Sequence, residues 1–225
     1  MSGAQQIRVK NLDRDQTFQF RCGPDLACFT DCCRQLDLAL TPYDVLRLCR
    51  ALGLSGAEFL ERYAAIEQEP GDAFPQVYLG MVDDGRASCP FVSSQGCTVY
   101  EDRPGACRTY PLGRGARLGP DGNPDDFYVV LNEPHCRGFA ENQPQTVLTW
   151  LANQELAPYN EFNDLTMRIL QHPRIRQGFR PEAGELARYL ELLYSLNGFA
   201  APPEASAEER LRRGLAILSD ELFPA

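Results

Sequence analysis

Thiols dominate the chemistry available to this chain. Eight of its nine cysteines form a pattern: Cys22, Cys28, Cys32 and Cys33 in a tight first cluster, then Cys89, Cys97, Cys107 and Cys136 spread downstream. Packing does not account for that density. A buried thiol behaves as a small hydrophobe with little reason to recur as a vicinal pair, whereas thiolates that converge on a cation need clustered local ligands completed by distant ones. Over an expected short helix at 25–36, Cys28 and Cys32 stand at i and i+4, about 5–6 Å apart at Cβ, where they can share a centre. Cys33 falls about 100° further round. It therefore reaches a second metal, caps a cluster corner, or turns with a frayed helix end. Cys22, in the preceding loop, is free to fold back. Downstream, Cys89-Pro90-Phe91 sets a thiolate at a strand end. Cys97 follows the Gln95-Gly96 turn, a knuckle-like arrangement offering sulfur and backbone N–H together.

Donor count alone leaves the metal open. Zinc takes four thiolates in a tetrahedron, and eight cysteines divide into two such sites. Iron–sulfur clusters are also held by four cysteines each. A site with fewer ligands and an open position would indicate catalysis or metal transfer instead. Cys49, at helical spacing with Leu46 and Leu52, reads as a buried structural thiol. His135 reads as a hydrogen-bonding neighbour of Cys136, and His172 as a surface helix terminus. Arg21, Arg34, Arg108 and Arg137 directly adjoin proposed ligands. Cationic donors stabilise an anionic thiolate site, and Arg103 and Arg108 are the candidates for that role. Glu101 is expected to pair with one of them or with a local backbone N–H.

No catalytic motif accompanies the thiols. Gly113-Arg114-Gly115 lacks the strand before and helix after that a phosphate loop needs. Neither a serine nucleophile elbow nor a metalloprotease helix is found.

These motifs resemble a known family. A cysteine group ending in a vicinal pair (Cys28 to Cys33), then Cys89-Pro90-Phe91, then Cys97-Thr98-Val99-Tyr100-Glu101-Asp102-Arg103-Pro104-Gly105-Ala106-Cys107-Arg108-Thr109-Tyr110-Pro111, then Cys136, is similar to the YkgJ-like cysteine-cluster family of zinc- or iron-chelating domains. The resemblance covers roughly residues 20–138. It implies that the eight cysteines are ligands for zinc or iron, with an iron–sulfur cluster among the options, and it leaves Cys49 outside the set. Flagellin lysine methylases look like relatives bearing the same cluster, which implies protein methyl transfer. They are considerably longer, and this chain shows no cosubstrate motif. Three functions follow: a metal-binding module whose centre is structural or redox-active, an enzyme related to those methylases, or a metal storage or delivery protein.

The elements that must position the thiols are legible in outline. Ile7 and Val9, then a polar turn at 11–16, then Phe18 and Phe20 predict a β-hairpin leading into Cys22. Thr41-Pro42-Tyr43-Asp44 and Ser55-Gly56-Ala57-Glu58 are capped helix starts followed by apolar stripes. Strands are expected at 76–83, 86–92 and 126–132, with 113–115 and 119–124 as loop or turn material. Helices are expected over 145–171, broken at Pro158, and over 181–196 and 206–222. The fold class is α+β: a small irregular antiparallel sheet and short helices around a Cys-ligated metal centre, followed by a helical C-terminal region. The expected domains are residues 1–140, which bind metal, and 141–225, a helical extension packed on them.

Charge and compartment narrow the partners. The chain has 225 residues and a formal charge of −9, which repels nucleic acid. No apolar run approaches the roughly 20 residues that span a bilayer, and the Met1–Gln6 start lacks secretory-signal character, so neither membrane nor export is expected. The expected location is the cytoplasm, where structural disulfides are rare and nine thiols point to metal. The expected partners are the metal ion and a protein.

Overall fold

The structure, a computed structural model, describes residues 7–202 and 204–224. The Met1–Gln6 stretch read for a secretory signal lies outside them. Strands β1 (Arg8–Leu12), β2 (Thr17–Gln19) and β3 (Ala39–Leu40) precede helices α1 (Pro42–Leu52) and α2 (Gly56–Tyr63). Strands β4 (Ala64–Glu67), β5 (Gln76–Leu79), β6 (Val92–Ser93) and β7 (Gly96–Cys97) lead to helix α3 (Gly105–Thr109). Strands β8 (Leu112–Leu118), β9 (Pro124–Asn132) and β10 (Pro144–Thr146) follow, then helices α4 (Val147–Asn153), α5 (Ala157–Leu170), α6 (Pro173–Arg176), α7 (Ala183–Leu190) and α8 (Ala207–Leu222). Helices and small antiparallel sheets make the fold α+β. Among the described residues, no helix is long and apolar enough to cross a membrane.

The chain forms two compact units. One comprises residues 1–36, 81–116 and 125–158, and its sheet runs in the order β1-β9-β8. Alternation along β9 turns Tyr128 and Val130 inward, onto a core of Leu12, Phe18, Phe20, Leu112, Val147 and Trp150. The expected first hairpin is not formed. β1 pairs with β9 and β2 with β10, because Leu12 and Phe18 are buried in that shared core rather than against each other's strands. The stretch 113–115, expected as loop, is strand. Its glycines make room for side chains of β9: a Cβ on Gly115 would stand 2.1 Å from the Phe127 ring, and one on Gly113 3.1 Å from Val129. The expected strand over 86–92 is reduced to isolated bridges of Ser88 with Arg34 and Val82, followed by β6.

The second unit comprises residues 37–80, 117–124 and 159–225. Both predicted caps are present: Thr41 and Ser55 each accept from the backbone N–H of the third helical residue, Asp44 and Glu58, whose carboxylates accept in return from the cap N–H. α1 buries Tyr43, which stacks on Phe162 of α5 at 4.6 Å. The sheet β3-β5-β4 completes this unit. Close helix approach is built in at Gly214 of α8, where a Cβ would stand 2.6 Å from the Leu192 carbonyl oxygen.

Candidate metal centre

The expected helix at 25–36 is replaced by a chain of turns. Leu26 N–H bonds to Gly23 O, Phe29 to Leu26 O, Asp31 to Cys28 O and Cys33 to Thr30 O, at 2.9–3.1 Å. Thr30 and Gln35 take positive φ, 68° and 54°, so the chain reverses twice around the single 3-10 turn of 31–33. Cys28 and Cys32 are therefore not on one α-helical face. The thiols are positioned by backbone turns instead.

Three sets of contacts hold the other thiols against this loop. Cys89 N–H donates to Cys33 O at 2.8 Å, and Gln35 N–H to Ala87 O at 2.8 Å, which docks the Cys89 segment beside the vicinal pair. The ring of Phe29 lies over Gly96, whose φ of 112° and missing Cβ allow the β6–β7 hairpin, with Cys97 at its end, to close beneath it. Arg21 N–H donates to Gly138 O at 3.1 Å, and Arg137 N–H to Cys28 Sγ at 3.2 Å, which brings Cys22, Cys28 and Cys136 together.

Cys32 is the common neighbour. It biases the titration of Cys22, Cys89, Cys97 and Cys136, and Cys33 hydrogen-bonds with it. Cys28 biases Cys22 and Cys136. Cys107 is connected through Arg103, whose guanidinium responds to both Cys107 and Cys97. Cys49 lies in the other unit, and burial followed by the Glu58 charge pushes its thiol up to about 11. All eight pattern cysteines belong to the first unit, and no group of three or more His, Cys, Asp or Glu side chains among the described residues stands in a ready metal-ligating arrangement.

Backbone N–H groups serve these sulfurs. Burial raises the pKa of Cys89, and the N–H groups of Phe91, at 3.4 Å, and Val92 oppose it. Burial likewise raises Cys97, opposed by Val99 N–H and then the Arg103 charge. Cys136 is raised by burial and eased by the Tyr110 hydroxyl and Gly138 N–H. Burial thus favours the thiol form of all three, and a metal that took them as ligands would have to displace their protons. An all-sulfur donor set with N–H groups aimed at Sγ suits zinc or iron. Cys22, Cys89, Cys97 and their partners would hold the ion, which supplies either a rigid cross-link or an electron-transfer centre.

The arginine and tyrosine residues around the thiols have separable tasks. Arg103 and Arg108 are buried. Arg103 donates to Tyr100 O at 2.6 Å and Gln154 Oε1 at 2.5 Å, and Arg108 to Gln154 O at 2.9 Å and to Glu101 O. They staple the Cys97–Cys107 segment to the loop between α4 and α5, and it is the Glu101 carbonyl that accepts from Arg108. Trp150 Nε1 adds a bond to Thr109 O at 2.9 Å. His135 stands 3.4 Å from Glu133, and His172 caps α6 and stacks on Phe223. Tyr110 packs against the core beside Cys136. Its hydroxyl is buried without an aligned acceptor. Burial, then Cys136 and Glu133, hold that phenol's pKa above its usual value, so it lies within electrostatic reach of Cys136 without a formed hydrogen bond.

The chain matches no curated protein and no solved structure. A family model, CxxCxxCC, described as a "putative zinc- or iron-chelating domain", matches residues 21–146. The matched stretch holds all eight pattern cysteines, with the first cluster spaced here as Cys22-x5-Cys28-x3-Cys32-Cys33. It covers more than half of the chain, and the protein belongs to this family of zinc- or iron-chelating domains.

Proposed function

We propose that the protein is a metal-binding module in which Cys22, Cys28, Cys32, Cys33, Cys89, Cys97, Cys107 and Cys136 hold zinc or iron, the iron as an iron–sulfur cluster, in a structural or redox role. What supports this reading is that all eight cysteines fall in one unit, where Cys22, Cys33, Cys89, Cys97 and Cys136 lie within electrostatic reach of Cys32, with Cys49 in the other. A protein partner then receives the electron or reads the ordered surface. The proposed location is a reducing compartment, the cytoplasm, where thiolates persist as ligands.

Anaerobic purification with metal and acid-labile sulfide analysis and a visible spectrum tests this. A brown protein with iron and sulfide supports the cluster form, and a colourless protein with two zinc ions supports the structural form. Metal-free protein from metal-replete cells sinks both. Cys107→Ser is expected to lower bound metal at least tenfold, as loss of a direct ligand should, and Cys49→Ser to leave it unchanged. The reverse result overturns the ligand set.

A further inference from the structure

A cleft of about 450 Å³ opens in the cysteine-bearing unit, between the turn carrying Arg34 and the 82–94 segment, with Cys89 in its wall. Small-molecule sites occupy about 300–1,000 Å³. Two guanidinium groups line it. Arg34 Nη1 donates to Thr30 O at 2.6 Å and stands 3.7 Å from the exposed Asp31 carboxylate. Its Nε is buried with no acceptor, and Nη2 has no partner among the described residues. Arg86 is exposed and engages only its backbone N–H, with Asp84 Oδ1 at 2.9 Å.

Several arginines elsewhere in this chain of net charge −9 meet carboxylates: Arg14 and Arg114 meet Asp126, Arg21 meets Asp25 and Glu141, and Arg188 meets Glu191 and Glu221. The one carboxylate in the cleft wall, Asp84, is committed to the N–H groups of Arg86 and Ser88. Two incompletely matched cations in one concavity focus positive potential there. The Nη2 end of Arg34 and the exposed guanidinium of Arg86 offer charge-assisted donors to a planar oxyanion in the cleft.

We propose that this cleft is an anion site, taking a small ligand through a carboxylate or phosphate group held by Arg34 and Arg86, with Val82 and Val92 against the ligand's apolar part. The anion site stands on the guanidinium groups alone. Its place beside a metal centre rests on the ligand role proposed for Cys89, and it then brings a small anionic substrate or effector next to that centre.

Titration calorimetry of inorganic phosphate and of succinate into the full chain, at low and high ionic strength, tests the site, with metal content measured on the same samples. Saturable binding of either probe, weakened about tenfold by Arg86→Gln with metal content unchanged, supports it; tenfold corresponds to one charge-assisted contact. Arg86 is exposed, so the variant keeps its fold, which circular dichroism checks. Preference for succinate marks a carboxylate ligand and preference for phosphate a phosphorylated one. No saturable heat with either probe, or equal affinity in Arg86→Gln, overturns the proposal. Anion binding by a wild-type chain that carries no metal upholds the site and counts against the cysteine reading alone.

Discussion

At the scale of single residues, Tyr110 carries an energetic cost that the bare protein does not recover. A buried hydroxyl without an acceptor costs about 1–3 kcal/mol, and here the nearest chemistry is Cys136 and Glu133. In the proposed centre Cys136 would ligate as a thiolate and give the phenol O–H a strong acceptor, a contact of the kind worth about 10–100-fold in metal affinity. Tyr110→Phe is therefore expected to leave urea unfolding of the metal-free chain unchanged or slightly more stable, and to weaken metal retention against a chelator at least tenfold. Equal retention in the variant would remove Tyr110 from the metal's environment. Membership of the cysteine-cluster family was legible in sequence because a vicinal thiol pair has no packing rationale. The tasks of Arg103 and Arg108 were not, because their acceptor Gln154 lies 51 and 46 positions away and nothing local marks it.

Elements with their own chemical stop and start signals were the legible ones. α1, α2 and α8 begin where Thr41, Ser55 and Ser206 can cap, since each capping box is satisfied within four residues. Pairing partners are decided by a core assembled from distant segments, so both strands of the expected first hairpin exist but pair with β9 and β10 instead of each other. The helix expected at 25–36 gives way to turns because Thr30 and Gln35 sit at positive φ, a choice tertiary contacts impose. Gly138 shows the same dependence. It lets the Cys136 loop meet the segment 20–22 that follows β2, and a Cβ there would stand 2.5 Å from Arg21 O and 2.6 Å from the Phe20 ring. Gly138→Ala is expected to destabilise by about 1–3 kcal/mol, the usual cost of overpacking, and to reduce metal content with it. Gly184→Ala, in α7 with nothing within 4 Å of the new methyl, is expected to be neutral or stabilising by about 0.5 kcal/mol. Urea midpoints of both variants check the pair, and equal effects would refute the close-approach argument.

For the whole molecule, the division into two units separates what a metal can stabilise from what it cannot. Every proposed ligand lies in residues 1–36, 81–116 and 125–158, whereas the other unit has its own core, built on Tyr43, Phe59, Leu192 and Leu218, and its own sheet. A ligand stabilises only the cooperative segment whose opening releases it, by RT ln(1 + [L]/Kd), about 2.7 kcal/mol at a metal concentration of about 100 Kd. Removing the metal with a chelator should therefore speed amide exchange roughly 100-fold in 20–36 and 88–110, the stretches that carry most of the proposed ligands. Amides of α1, α2 and α8 should keep their protection, since no proposed ligand lies in their unit. Hydrogen-exchange mass spectrometry on loaded and chelated protein reads both sets of peptides in one experiment. Equal acceleration in both units would mean that the metal stabilises the chain as one cooperative body, and no acceleration in either would mean that the eight thiols do not hold it.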